Sequence, residues 1–300
     1  MALNFLSLQD HILDLIDVDD ATTRAFVKDY INISARDIWT AHAWPERYIE
    51  GTVTTVAPYS TGTVSSSGTA IAGSGTTFPT SIVEGLTRFA KSYSDPWYVI
   101  SDRASATAIT LADSYNETAL SGSAYTIYQD IYNLASDVDE VVDVRLLKAS
   151  EAGSLASTLE RRMDEAVYIP GQAGTPRVYS LVGQSSVGLK RIRLWPVPDT
   201  TLRLKYRYLK SYTDMQSDGD KCVIPESRRD ILIAGTLRYA YRLKGEDNKA
   251  NTQEGLFRRL LEEHWAREKD KASVPARLLP FDARGGRYVD PWDISTLSIS

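Results

Sequence analysis

Between Gly51 and about Tyr132 apolar residues recur at every second position, whereas on both flanks they recur every three or four. The middle is therefore expected to pair as strands and the flanks to coil as helices, an α+β chain whose helical bundle core is discontinuous. The clearest strands are DPWYVIS (95–101), TAITLAD (107–113) and AYTIYQDIY (124–132), with turns such as Ser121-Gly122-Ser123 between them. Strands at that spacing predict an inserted antiparallel β-barrel or sandwich over 51–133. Its least ordinary stretch, GTVSSSGTAIAGSGTTF (62–78), has four glycines and no charge. A phosphate-cradling loop needs a Lys beside a Ser or Thr opening a helix, and no Lys is present. After Gly73-Ser74-Gly75 the third glycine of a dinucleotide fingerprint is replaced by Phe78. Val64, Ile71 and Phe78 among threonines and serines read instead as tight hairpins.

Ser7 and Asp10 are expected to cap a first helix that carries Leu8, Ile12, Leu13 and Ile16 on one face. A second helix, from Thr22 to about Trp44, shows the stripe Phe26, Tyr30, Ile33, Ile38, Trp39 before Pro45. Residues 1–50 thus form the N-terminal helices. Within 134–224, SEAGSLASTLERRMDEA (150–166) reads as helix and 177–212 as a second antiparallel β region. There Leu202, Leu204, Tyr206 and Tyr208 alternate with Arg203, Lys205 and Arg207, and Ile192 and Leu194 with Arg191 and Arg193. A helical hairpin follows over 225–272. Pro225 suits its first helical position, Ile231, Ala234, Leu237 and Tyr241 mark its face, and Asn251 with Glu254 caps its second arm. Residues 273–300 form an extended tail, since three prolines and paired glycines preclude a long helix there.

Little in the chain points to a reaction. His11, His42 and His264 each lie on an expected helix with no nucleophile at a telling spacing, and His264 shares a face with Leu260 and Leu261. The acidic run SDVDEVVD (136–143) lacks the EF-hand spacing and reads as a solvated turn. Among 39 acids no pair stands out as a hydrolytic couple. Cys222 alone excludes an internal disulfide and a four-cysteine zinc site, in keeping with a reducing cytoplasm. No cofactor or metal is expected. A net charge of -5 argues against tight DNA binding, which draws its affinity from phosphate neutralisation by Lys and Arg. About 18 consecutive apolar residues occur nowhere, so no membrane span is expected. The basic set Arg191, Arg193, Arg203, Lys205 and Arg207 reads as the wet face of a half-buried sheet or as an electrostatic contact with an acidic neighbouring subunit or with passing DNA.

The order of parts resembles a known family. Helices come first, then GTAIAGSGTTF with WYVIS, TAITLAD and AYTIYQDIY, then GTPRVYSLVG, RLWPVPDTTLRLKYRYLK and IPESRRDILIAGTLRYAYRLKGED. Over residues 20–272 this is similar to the head-tail adaptor (connector) proteins of tailed bacteriophages. The resemblance implies a structural virion protein at the head-tail junction, assembled in the bacterial host cytoplasm and without catalysis. It implies a dodecameric ring under the portal protein that continues the DNA channel and carries tail or nozzle proteins. The insert at 51–133 and the long tail depart from a simple adaptor and leave room for a larger tubular version.

In that setting the acidic balance lets DNA slide, because abundant phosphate-binding side chains would act as brakes. The tail after Ser273 is too apolar for water. Leu278, Leu279, Phe281, Tyr288, Trp292 and Ile294 are expected to dock on the portal or a neighbouring subunit as an extended strand, with Phe281, Tyr288 and Trp292 as anchors. A rival reading makes the β insert a carbohydrate-binding module on a decoration or receptor-binding protein, using Trp97, Tyr98, Tyr125 and Tyr128.

Overall fold

The structure, a computed structural model, describes residues 4–18, 20–147, 157–163 and 172–273. Two compact units divide the chain: Pro45–Ser211, and Met1–Trp44 together with Tyr212–Ser300.

The second of these is helical among the described residues. Helix α1 (Phe5–Ile16) is capped by Asn4, whose side chain accepts from the Ser7 amide at 2.7 Å. The expected cap, Ser7, lies inside the first turn because its hydroxyl bonds back to the Asn4 carbonyl. Helix α2 (Ala21–Ala41) starts at Asp20, which accepts from the Thr22 and Thr23 amides. Its buried face is Val27, Ile31, Ala35, Ile38 and Trp39. The face therefore sits one residue away from the expected stripe over the first turns, and Phe26 is 41% exposed. A 3₁₀ turn (Glu226–Arg228) leads into α3 (Arg229–Leu243), and Gly245 at φ 73° turns the chain into α4 (Asp247–Ser273). Asn251 and Glu254, expected as a cap pair, lie past the first turn of α4, where Glu254 pairs with Arg238 and Arg258. A Cβ on Gly235 would come within 3.0 Å of the Phe257 ring and 3.2 Å of Ser34, so glycine lets α3 approach both α4 and α2. Phe5, Leu8, Ile12, Ile31, Ile38, Trp44, Ile231, Leu232, Leu237 and Phe257 close one core. Each large side chain removed from water there contributes about 1.5 to 3 kcal/mol.

Among the described residues the other unit holds three sheets. Strands β1 (Tyr48–Thr54), β14 (Arg203–Lys210), β9 (Val138–Leu147) and β10 (Ser157–Thr158) form the first, in that order. The second runs β11 (Glu160–Arg161), β12 (Val178–Gln184), β13 (Lys190–Trp195), β8 (Ile131–Asn133). The third has six strands: β2 (Thr63–Ser67), β3 (Ala70–Ser74), β6 (Ala108–Leu111), β5 (Trp97–Asp102), β4 (Thr87–Ala90), β7 (Thr126–Gln129). All pairings are antiparallel except β11 with β12. Helices and antiparallel sheets thus segregate by unit, which makes the chain α+β.

The glycine-rich stretch is the hairpin β2–β3, turned at Gly68 with φ 60°. Three expectations need correction. AYTIYQDIY is two strands, β7 and β8, which part at Asp130 and join different sheets. SDVDEVVD is a turn only at Ser136 and Asp137. Val138–Asp143 runs in β9, between β14 and β10. Of the helix expected over 150–166, residues 150–156 and 164–166 lie outside the described residues, and the rest is extended: Ser157 pairs with Leu146 and Glu160 with Val178.

Candidate functional site

The basic residues singled out above do not form one stripe. Arg191 and Arg193 sit on β13, in the second sheet, and Arg203, Lys205 and Arg207 on β14, in the first. Acceptors of their own chain already engage most of them. Arg191 Nε donates to Asn133 Oδ1 at 3.1 Å, Lys205 meets Glu50 at 2.5 Å, and Arg207 reaches Asp143 at 3.3 Å, beside Arg145 on the same carboxylate. Arg203 is exposed. Acids in and beside β9 are also engaged: Asp139 takes Arg47 at 2.6 Å, and Asp137, just before the strand, accepts from the Tyr208 hydroxyl at 2.9 Å. The arrangement holds cations against their own sheet.

Arg193 belongs to a tighter cluster. Asp130 lies 2.6 Å from Arg88 and 3.4 Å from Arg193, and the Arg88 guanidinium stacks 3.6 Å from the centre of the Trp97 ring. Arg88 and Asp130 are only 2% and 4% exposed. Burial pushes the Asp130 carboxyl above its ordinary value, against the opposing pull of Arg88 and Arg193. The cluster ties β4 and the β7–β8 junction of the insert to β13. The acid interrupting AYTIYQDIY was its only sequence signal, and it named no partner.

The aromatic residues proposed for sugar contact divide. Tyr125 is 2% exposed and bonds Thr76 and the Thr61 carbonyl; Tyr128 is buried too. Trp97 and Tyr98 are half-buried, with Trp97 under Arg88 and the Tyr98 hydroxyl accepting from the Asn116 amide. Half of the expected sugar platform is therefore core.

On the helices, His42 stacks flat on Trp265 with ring centres 4.6 Å apart and meets Trp44 edge-on at 5.3 Å. Burial lowers its pKa from the ordinary imidazole value, while Glu262 pulls it up and Lys269 pushes it down. His264 contacts Asp230 at 3.2 Å, and His11 is half-buried on α1. Among the described residues none of the three stands by a nucleophile that another group could activate. Among the described residues no three of His, Cys, Asp and Glu gather as metal ligands, and no helix is long and apolar enough to cross a membrane.

Two surface features of the helical unit carry more weight. A cleft of about 390 Å³ separates α2 from the chain over 214–216, lined by Phe5, Lys28, Asn32, Arg36, Asp214 and Met215. Asn32 spans it, donating to the Met215 carbonyl and accepting from the Met215 amide and the Tyr212 hydroxyl. Arg36 to Asp214 at 2.7 Å and Lys28 to Asp218 at 3.0 Å complete the strap. Along α2 and α3, Phe26, Tyr30 and Tyr239 stack in a ladder, 6.4 and 5.5 Å between centres, on a surface that stays partly open to water. Phe26 and Tyr30 are visible in the sequence as helix-spaced aromatics on the stripe expected for α2. The expected anchors Leu278, Leu279, Phe281, Tyr288, Trp292 and Ile294 lie outside the described residues.

With this geometry in place, the comparison with known proteins is specific. The family model described as SU10 adaptor protein matches residues 78–279. No curated protein matches the chain.

Proposed function

From its membership of the SU10 adaptor protein family, to which this chain belongs as a structural phage head-tail adaptor, we propose that copies of it close a ring under the portal protein. The ring continues the DNA channel and gives tail or nozzle proteins a platform. The family match over residues 78–279 is the observation that carries this reading. Adaptors meet portal or tail proteins, and the role is architectural, with no reaction assigned.

Three features support it. The cations of β13 and β14 are largely held by acids and amides of the same chain, and the net charge is -5, so DNA inside such a ring is not gripped through its phosphates. The Phe26–Tyr30–Tyr239 ladder is an aromatic surface of the kind that interfaces cover. The apolar residues of 273–300 supply anchors for the portal or a neighbouring copy.

Negative-stain microscopy of the purified chain, alone and with portal, is expected to show rings. Truncation after Ser273 is expected to leave the fold intact and abolish co-sedimentation with portal; unchanged co-sedimentation would overturn the role of the tail.

A further inference from the structure

Five of the six sheet edges among the described residues are short or occupied. Strands β10 and β11 have two residues each and β8 three. The outer side of β2 bonds the loop before β7, with Val64 N to Ser123 O at 2.9 Å and Ser66 N to Leu120 O at 3.0 Å. That of β7 bonds Tyr59 in both directions across Ile127, at 2.8 and 2.9 Å. Strand β1 differs. It pairs with β14 from Tyr48↔Leu209 to Thr54↔Arg203 without a bulge, and it ends its sheet.

The direction of its free groups follows from the ladder. The Thr55 amide donates to the Leu202 carbonyl at 2.8 Å, so alternation turns the backbone groups of Val53, Gly51 and Ile49 toward β14. Those of Tyr48, Glu50, Thr52 and Thr54 then point away from the sheet, and all four residues are exposed. Edges of this length are normally blunted by Lys, Pro or a bulge. β1 has none of them, and its single charge, Glu50, is already bonded to Lys205.

The sequence supplies one segment matched to that edge. Beyond the end of α4 at Ser273 the chain continues to Ser300, and its last stretch after Asp293 is ISTLSIS. That stretch is as long as β1, carries no charge, Gly or Pro, and alternates Leu297 and Ile299 with serines, a pattern suited to a half-buried strand. We propose that residues 294–300 of a second copy of this chain add to the outer edge of β1 as a further strand of the β1-β14-β9-β10 sheet. The inference rests on the adaptor reading, which supplies neighbouring copies side by side. Backbone groups of Tyr48, Glu50, Thr52 and Thr54 give the hydrogen bonds, and no unpaired charge is buried. Leu297 and Ile299 fall with Ser295 on the face of Ile49 and Val53, extending the buried side of the sheet, and Thr296, Ser298 and Ser300 fall with Ile294 beside Glu50 and Thr52.

Cysteine cross-linking of the full-length chain tests this, because Cys222 is the only native thiol. In a Cys222→Ser background, Thr52→Cys is combined with Thr296→Cys in one protein and with Ser298→Cys in another. Oxidation of at least one is expected to give a ladder of covalent oligomers on a non-reducing gel. Cross-links confined to single chains, or none in either protein, overturn the proposal. Leu297→Asp with Ile299→Asp is expected to raise the concentration at half-assembly at least about tenfold in sedimentation velocity, with an unchanged thermal melt; unchanged assembly overturns it. Rings that persist without cross-links leave the adaptor reading standing, whereas a wild-type chain that forms no rings even with portal fails that reading independently.

Discussion

Asp130 shows what one buried acid does in this fold. It breaks an apolar run and holds two arginines, one from β4 and one from β13. Asp130→Asn leaves Arg88 buried without its counter-charge, and the expected cost is about 3 to 5 kcal/mol, read as a lower urea midpoint. His42 predicts a pH dependence. Its pKa is lowered by burial, so as pH falls below about 6.5 the unfolded chain takes up the proton first, and stability is lost on acidification. His42→Phe keeps the stack on Trp265 and removes that slope, measurable by comparing urea midpoints near about pH 7.5 and about pH 5.5. At this scale the sequence named residues well and their surroundings poorly. Phe26 and Tyr30 stand out in it, whereas Asp130 reads as one residue of the expected strand 124–132, and Arg88 and Arg193 meet it only through the pairing of distant strands. Whether Phe26 faces the core turns on a single residue's rotation of α2.

Among the elements, β9 was the hardest to read because its burial is irregular. Val138, Val141, Val144 and Leu146 point inward at uneven intervals, since register shifts opposite Arg207/Tyr208 and Leu209/Lys210 break the period of two. Strand β14 was legible because its own alternation is unbroken from Arg203 to Tyr208. Gly51 sits inside β1 because a Cβ there would overlap the Tyr206 ring, whose hydroxyl accepts from the Ala135 amide. Gly51→Ala is expected to cost about 1 to 3 kcal/mol and to loosen the β1–β14 pairing, seen as faster amide exchange in both strands. The strap over α2 depends on Asn32. Asn32→Ala removes its bonds to Met215 and Tyr212, with an expected loss of about 1 to 3 kcal/mol and faster proteolysis between residues 212 and 221.

For the whole molecule, the change from helical to alternating periodicity and back was enough to give α+β. The division of Pro45–Ser211 into three sheets was not, because short strands such as β8, β10 and β11 carry too few residues to show a period. That unit is a single continuous stretch with its own core of Val144, Tyr179, Ile192 and Leu204. Expressed alone, Pro45–Ser211 is expected to fold and give a β-type circular dichroism spectrum with a cooperative melt; a non-cooperative profile would count against its independence. The helical unit has no such option. Helices α1 and α2 leave the ribosome early, yet the core they need includes Ile231, Leu237 and Phe257, which are translated after the whole of Pro45–Ser211. At roughly 5 to 20 residues per second that is a wait on the order of ten seconds, during which α1 and α2 show bare apolar faces that chaperones can hold. A chain stopped before α3 and α4 therefore cannot close the core that α1 and α2 need.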